Sequence, residues 1–159
     1  MIKTEILDHP LPPIPPDDTR RDDGAEVVFH GRVRAEENGR AIAALDYEHY
    51  AGMAEKELEA LAEETVDRFG VHDLICQHRV GRIPVGEVAL RVTIWSRHRA
   101  AAFSALDWFV LELKKRVPIW KWGVGVDGER FPSPPPDAPD RRVGPSDPEG
   151  GNRPGCGRG

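Results

Sequence analysis

EVALRVTIWSRHRAAAFSALDWFVLELKKRVP, running from Glu87 to Pro118, carries the architecture, because its periodicity changes once and cleanly. From Glu87 to Trp95 the apolar Val88, Leu90, Val92 and Ile94 alternate with Ala89, Arg91, Thr93 and Trp95, the two-residue period of a strand. Ser96 is suited to cap a helix through its hydroxyl. Beyond it Phe103, Leu106, Val110 and Leu113 recur at helical spacing as far as about Val117. Pro118 ends the helix, since its ring cannot continue the hydrogen-bond ladder. Trp108 and Leu111 fall outside the stripe, so this helix is apolar on nearly its whole circumference and is expected to be covered on two sides. A sheet supplies one cover. The other is expected to be a self-association surface, with a loop folded over the helix as the alternative.

The flanking sequence reads the same way. Ala25 to Gly31 (AEVVFHG) is short, β-branched and bounded by glycine, hence a strand. Ala41 to Tyr50 is a second strand, joined to the first through the polar AEENGR, which turns at Asn38-Gly39. Met53 to Phe69 places Leu58, Leu61, Ala62, Thr65 and Phe69 at helical spacing, and Gly70 stops the helix. Leu74 to Val80 is a third strand, and Ile119 to Phe131 a terminal hairpin turning at Asp127-Gly128. The order ββαββαββ predicts a single α+β domain over residues 25–131, with a mixed or mostly antiparallel sheet and two main helices. Residues 1–24, rich in Pro and Asp, are expected to be a partly ordered lead-in, and residues 132–159, rich in Pro, Gly and Arg, a disordered tail. Neither has enough apolar side chains to offset the entropy of ordering it.

Composition excludes several classes. A net charge of −5 argues against a general nucleic-acid binder. No apolar run reaches the roughly 20 residues of a membrane span. The N-terminal prolines stand where an export signal would need an unbroken apolar stretch, so the cytoplasm is the expected compartment. Cys76 lies among apolar neighbours and is expected to be an inert buried thiol, and Cys156 falls in the tail. The histidines show no HxH or HExxH spacing, so no metal is expected.

Arginine is the habitual cation here; the only lysines are Lys3, Lys56, Lys114, Lys115 and Lys121. A lysine amine can lose its proton and act as base or nucleophile, which arginine cannot. The plain alternative is that Lys114 and Lys115 complement a helix C-terminus. Three basic clusters fall at the ends of elements: Arg32 with Arg34, Arg97-His98-Arg99, and Lys114-Lys115 with Lys121. The second coincides with a helix start, whose free N–H groups favour an anion. Converging, the three would form one cationic pocket for a phosphate ester. Helical geometry puts Lys115 on the solvent side and Lys114 at the protein-facing edge of the apolar stripe, which favours Lys114 as the working residue.

GAEVVFHGRVR (24–34), LDYEHYAGMAEKEL (45–58), HRVGRIPVGE (78–87), SRHRAAAF (96–103) and LKKRVPIWK (113–121) together resemble the large-subunit family of molybdopterin synthase, in order and spacing. The resemblance implies an α/β hammerhead-type fold and a homodimer that becomes a heterotetramer with a small ubiquitin-like subunit. That subunit's C-terminal Gly-Gly thiocarboxylate would donate sulfur to cyclic pyranopterin monophosphate, a sulfurtransferase step in molybdenum cofactor biosynthesis. No cofactor is implied, since molybdenum enters the product later. By position, Lys114 and Lys121 match the catalytic lysines, and Arg34, His98 and Arg99 the anion-binding group. Arg32, Val33, Trp122 and Gly123 match further pocket positions. Gly123 departs from the family, which commonly has a glutamate there, and the tail from Pro132 matches nothing in it. The rival expectation is a non-catalytic homologue that binds a ubiquitin-like partner or phosphorylated ligand as a scaffold.

Overall fold

A computed structural model describes residues 1–133. In chain order its elements are β1 (Ile2–Leu7), β2 (Ala25–Arg32), β3 (Glu36–Glu37), β4 (Arg40–His49), α1 (Met53–Phe69), β5 (Asp73–Arg79), β6 (Gly81–Pro84), β7 (Val88–Ser96), α2 (Arg99–Arg116), β8 (Ile119–Gly125) and β9 (Arg130–Ser133). The α+β class is as expected, but the strands divide between two sheets. The first has the order β1-β5-β7-β2, with β1 parallel to β5 and the other pairs antiparallel. The second has the order β3-β4-β8-β9, with β6 also paired to β4.

The two helices cover one face of the first sheet. Leu58, Leu61 and Ala62 of α1 and Ala102, Ala105 and Phe109 of α2 form one core with Leu74, Cys76, Val92 and Ile94. The N-terminal segment crosses the opposite face: Arg91 donates to the Pro12 carbonyl at 2.5 Å, and the Arg20 guanidinium lies 4.1 Å over the Trp95 ring. Within this lead-in, β1 pairs in register with β5 from Ile2↔Leu74 to Leu7↔Arg79. At six residues, followed by a proline-rich stretch, it is too short to announce itself locally. At the other end, Pro132 and Ser133 belong to β9 rather than to the expected tail, whose remaining residues 134–159 lie outside the described part. Burial pushes the Cys76 thiol up and keeps it protonated. No helix among the described residues is long and apolar enough to cross a membrane.

Local chemistry explains the elements that match expectation. Asn38 and Gly39 adopt φ of 52° and 78°, the left-handed pair that a tight β3–β4 hairpin requires. Gly70 closes α1 in the left-handed conformation, its N–H donating to the Val66 carbonyl.

Helix α2 departs from expectation in two respects. Its N-cap is His98, in extended conformation; Ser96 is buried as the last residue of β7. Its buried face is Ala102, Ala105, Phe109 and Leu113, while Phe103 and Leu111 are 59% and 50% exposed. Alanine's small side chain lets the helix lie close on the sheet, so packing selected the alanine stripe over the bulkier one centred on Phe103. No loop among the described residues covers Phe103 and Leu111.

Candidate functional site

A cavity of about 710 Å³ opens between the C-terminal end of α2, the end of β2 and the second sheet. Arg32, Arg34, Lys114, Lys115 and Lys121 line it, against the single acid Glu37, over apolar walls that include Phe29, Leu45 and Leu113. An enclosure with that charge balance is built for anions.

Each cation arrives by a separate local device. A β-bulge between Gly31 and Arg32 redirects the end of β2, and Arg32 is steadied by the Gly86 carbonyl at 3.0 Å. Arg34 follows as an exposed side chain 4.0 Å from Glu37. Val33 between them turns inward, 2% exposed, into the second core with Ile42, Leu45, Ile83 and Ala89, and so supports the wall without lining the cavity.

The last turn of α2 brings both adjacent lysines to the cavity, and both are exposed. The expected separation of a desolvated Lys114 from a solvated Lys115 is therefore absent. With the buried face centred on Phe109, Lys114 stands about 140° away around the helix and Lys115 about 120° on the other side. What distinguishes them is pairing: Lys115 Nζ lies 3.2 Å from Glu112, whereas Lys114 has no ion-pair partner among the described residues.

Pro118 redirects the chain into β8, where Lys121 is partly buried and its Nζ stands 2.7 Å from Glu37 Oε1. Trp122 points away: its indole N–H donates to Glu48 at 3.3 Å, and Arg130 lies 4.8 Å over its ring. Gly123 is sealed by Phe131, whose ring would come within 2.2 Å of any Cβ at that position. Neither lines the cavity. The third basic cluster is remote as well. Arg99 and Lys114 are separated by 15 residues of one helix, a span of about 22 Å, so His98 and Arg99 do not reach the cavity of their own chain.

The structure adds side chains that motif spacing did not single out: Glu37, Tyr47, His78 and Ser133. His78 is buried and meets the Tyr47 ring edge-on at 5.4 Å. Burial, partly opposed by the hydrogen bond with the Arg79 carbonyl, pushes the imidazole down to about 4 and keeps it neutral. Burial, with the Glu37 charge, pushes the Tyr47 phenol up to about 12. For Glu37 itself burial favours the neutral acid, but hydrogen bonds from Lys121 and Ser133 and the charges of Lys121 and Arg34 outweigh it, holding the carboxyl below its ordinary range. Among the described residues no group of three or more His, Cys, Asp or Glu is placed to hold a metal ion.

The sequence profile of the MoaE protein family matches residues 14–116, which takes in α2 and its lysines and stops short of Lys121. A protein named molybdopterin synthase catalytic subunit from Pyrococcus abyssi is 45% identical over 106 residues, which span 67% of this chain and 72% of that protein. The X-ray structure of molybdopterin synthase from Staphylococcus aureus aligns at a TM-score of 0.68 and 29% identity, over 79% of this chain and 93% of that one. A chain from the Helicobacter pylori complex of subunits 1 and 2 of molybdopterin-converting factor shares the fold at a TM-score of 0.64 and 24% identity, over 82% and 89% of the two chains.

Proposed function

The chain belongs to the MoaE protein family, and on that footing we propose that it is the catalytic large subunit of a molybdopterin synthase. In this reading it converts cyclic pyranopterin monophosphate to molybdopterin, in the cytoplasm, with sulfur from the thiocarboxylated C-terminus of a small ubiquitin-like subunit. The observation that carries the proposal is the cavity with five cationic side chains, one acid and an unpaired lysine at its edge.

The charge balance suits the reaction. Phosphate and thiocarboxylate are both anions, and two unit charges about 4 Å apart repel by about 4 kcal/mol at an effective dielectric constant of 20. Fixed cations offset that repulsion without reorganising during the reaction. Arg32 and Arg34 are assigned to the phosphate, and Lys121 to a fixed charge beside the reacting groups. In each of two rounds a pterin side-chain carbon gives up its bond to oxygen, which leaves with the phosphate or as water, and takes a bond to the thiocarboxylate sulfur. Cleavage of its bond to the acyl carbon, with water supplying the oxygen, then leaves sulfur on the pterin and a carboxylate on the small subunit. Lys114 is assigned to that cleavage, by proton transfer or by transient capture of the acyl carbon. Cys76 has no part in it, being a buried protonated thiol.

His98 and Arg99 enter the scheme only through a second copy of the chain. The exposed Phe103 and Leu111 give α2 an apolar face for that contact, and a homodimer would carry a small subunit on each half, a heterotetramer. Purified full-length chain, mixed with a thiocarboxylated small subunit and the cyclic pterin, should yield molybdopterin. A mixture that binds both ligands and forms none would favour the scaffold reading instead.

A further inference from the structure

We propose that Glu37 is a positioning residue of the sulfur-transfer site, its carboxylate fixing the Lys121 ammonium at one point of the cavity wall; this rests on the role given to Lys121 above. Glu37 sits on the two-residue strand β3, immediately before the Asn38-Gly39 turn. Strands β3 and β9 lie at opposite ends of the order of the second sheet, yet the Ser133 hydroxyl of β9 donates to Glu37 Oε1 at 2.5 Å. Lys121 of β8 approaches the same oxygen at 2.7 Å, and Arg34 lies 4.0 Å from the other. One carboxylate thus gathers groups from two other strands and from the connection that follows β2.

Two physical considerations assign it a purpose. A side chain only 8% exposed that carries a charge is costly unless fully engaged, and this one is engaged by Lys121 and Ser133. It is also the single acid on a wall meant for anions, where it works against ligand affinity. What it contributes is geometry. Glu37 is the one ion-pair partner of Lys121 among the described residues. Two residues further along β8, on the same face, Gly123 is closed off by Phe131 and can supply no holding group. The carboxylate therefore has to come from another strand. Lys114 is left unpaired, which divides the two lysines into a held charge and a free amine.

The test is a steady-state comparison of the full chain with its Glu37→Gln variant, using the thiocarboxylated small subunit and cyclic pterin. Removing the negative charge while keeping the shape should lower kcat about 10- to 100-fold, the scale of a misplacement near 1 Å. KM for the anionic pterin should stay level or fall, because the wall becomes more positive, and the melting temperature should hold within a few degrees. Ser133→Ala, which loosens the carboxylate without changing charge, should lower kcat several-fold at unchanged KM. An unchanged kcat in Glu37→Gln, or a KM that rises with kcat intact, overturns the proposal. If Glu37→Gln does not fold, full kcat in Ser133→Ala overturns it. Lys121→Ala separates the two levels: an active Lys121→Ala overturns the reading of the site, whereas an inactive one beside a fully active Glu37→Gln overturns the inference about Glu37 alone.

Discussion

Two inactive variants of this chain should restore activity to each other. About 22 Å of α2 separates Arg99 from Lys114, and only the lysine end lines the cavity. On the proposed reading, a complete site would take Lys114 from one chain and His98 with Arg99 from another. Lys114→Ala alone should lose at least about 100-fold in kcat, the lower range for removing a group that transfers a proton. His98→Ala with Arg99→Ala should lose activity at subsaturating pterin, in kcat/KM, through weakened pterin binding. If the two variants are unfolded together and refolded, random pairing makes half of the dimers mixed. In each mixed dimer one site carries both lesions and the other carries none. The mixture should therefore recover about one quarter of wild-type activity, as two-fold symmetry requires. Molybdopterin formation measures the recovery, and native mass spectrometry measures the mixed dimers. Mixed dimers present in the expected proportion but without activity would refute the shared site. So would full activity in the His98, Arg99 double variant on its own.

Lys115→Ala should keep wild-type turnover, since its amine is exposed and paired to Glu112; a loss equal to that of Lys114→Ala would show that pairing does not separate the two lysines. Phe109, with none of its surface exposed, anchors α2 on the first sheet, so Phe109→Ala should cost about 3–5 kcal/mol in urea unfolding, and a cost under 1 kcal/mol would contradict the packing described. His78 supplies an acid-sensitive element. Its imidazole is pushed from 6.5 to about 4, so it contributes stability in full above pH 6.5 and loses it as the pH falls towards 4, by about 3 kcal/mol over that window. Replacing it with Leu should flatten that part of the stability profile, and an unchanged acid slope would rule His78 out as the cause.

The Asn38-Gly39 hairpin, α1 from Met53 to its Gly70 cap, the long strand to Ser96 and the break at Pro118 were legible because each depends on a few neighbouring residues. Period, turn preference and proline geometry act over one or two turns of chain. Strands β1 and β6 were not legible. Ile2–Leu7 becomes a strand by pairing with residues about 70 positions away, and Gly81–Pro84 by pairing with β4. The buried face of α2 differs from the apolar stripe for a related reason. Apolar spacing allowed a stripe through Phe103, and only the closeness of the sheet selected Ala102 and Ala105.

The site divides along the same line. By itself the sequence determined the inventory: scarce lysines, three basic clusters at element ends, and motifs that resemble one family. It could not determine which clusters meet. Electrostatic partnership depends on distances of 3 to 4 Å between residues far apart in the chain. Ser133 and Glu37 are 96 positions apart, and Lys121 of β8 meets Glu37 of β3 only within the folded second sheet. Conversely, His98 and Lys114, on one helix, are held apart by its rigid rise. Tertiary structure therefore decided that two clusters share a cavity, that the third stands at a distance, and that a glutamate no motif had marked grips one of the lysines.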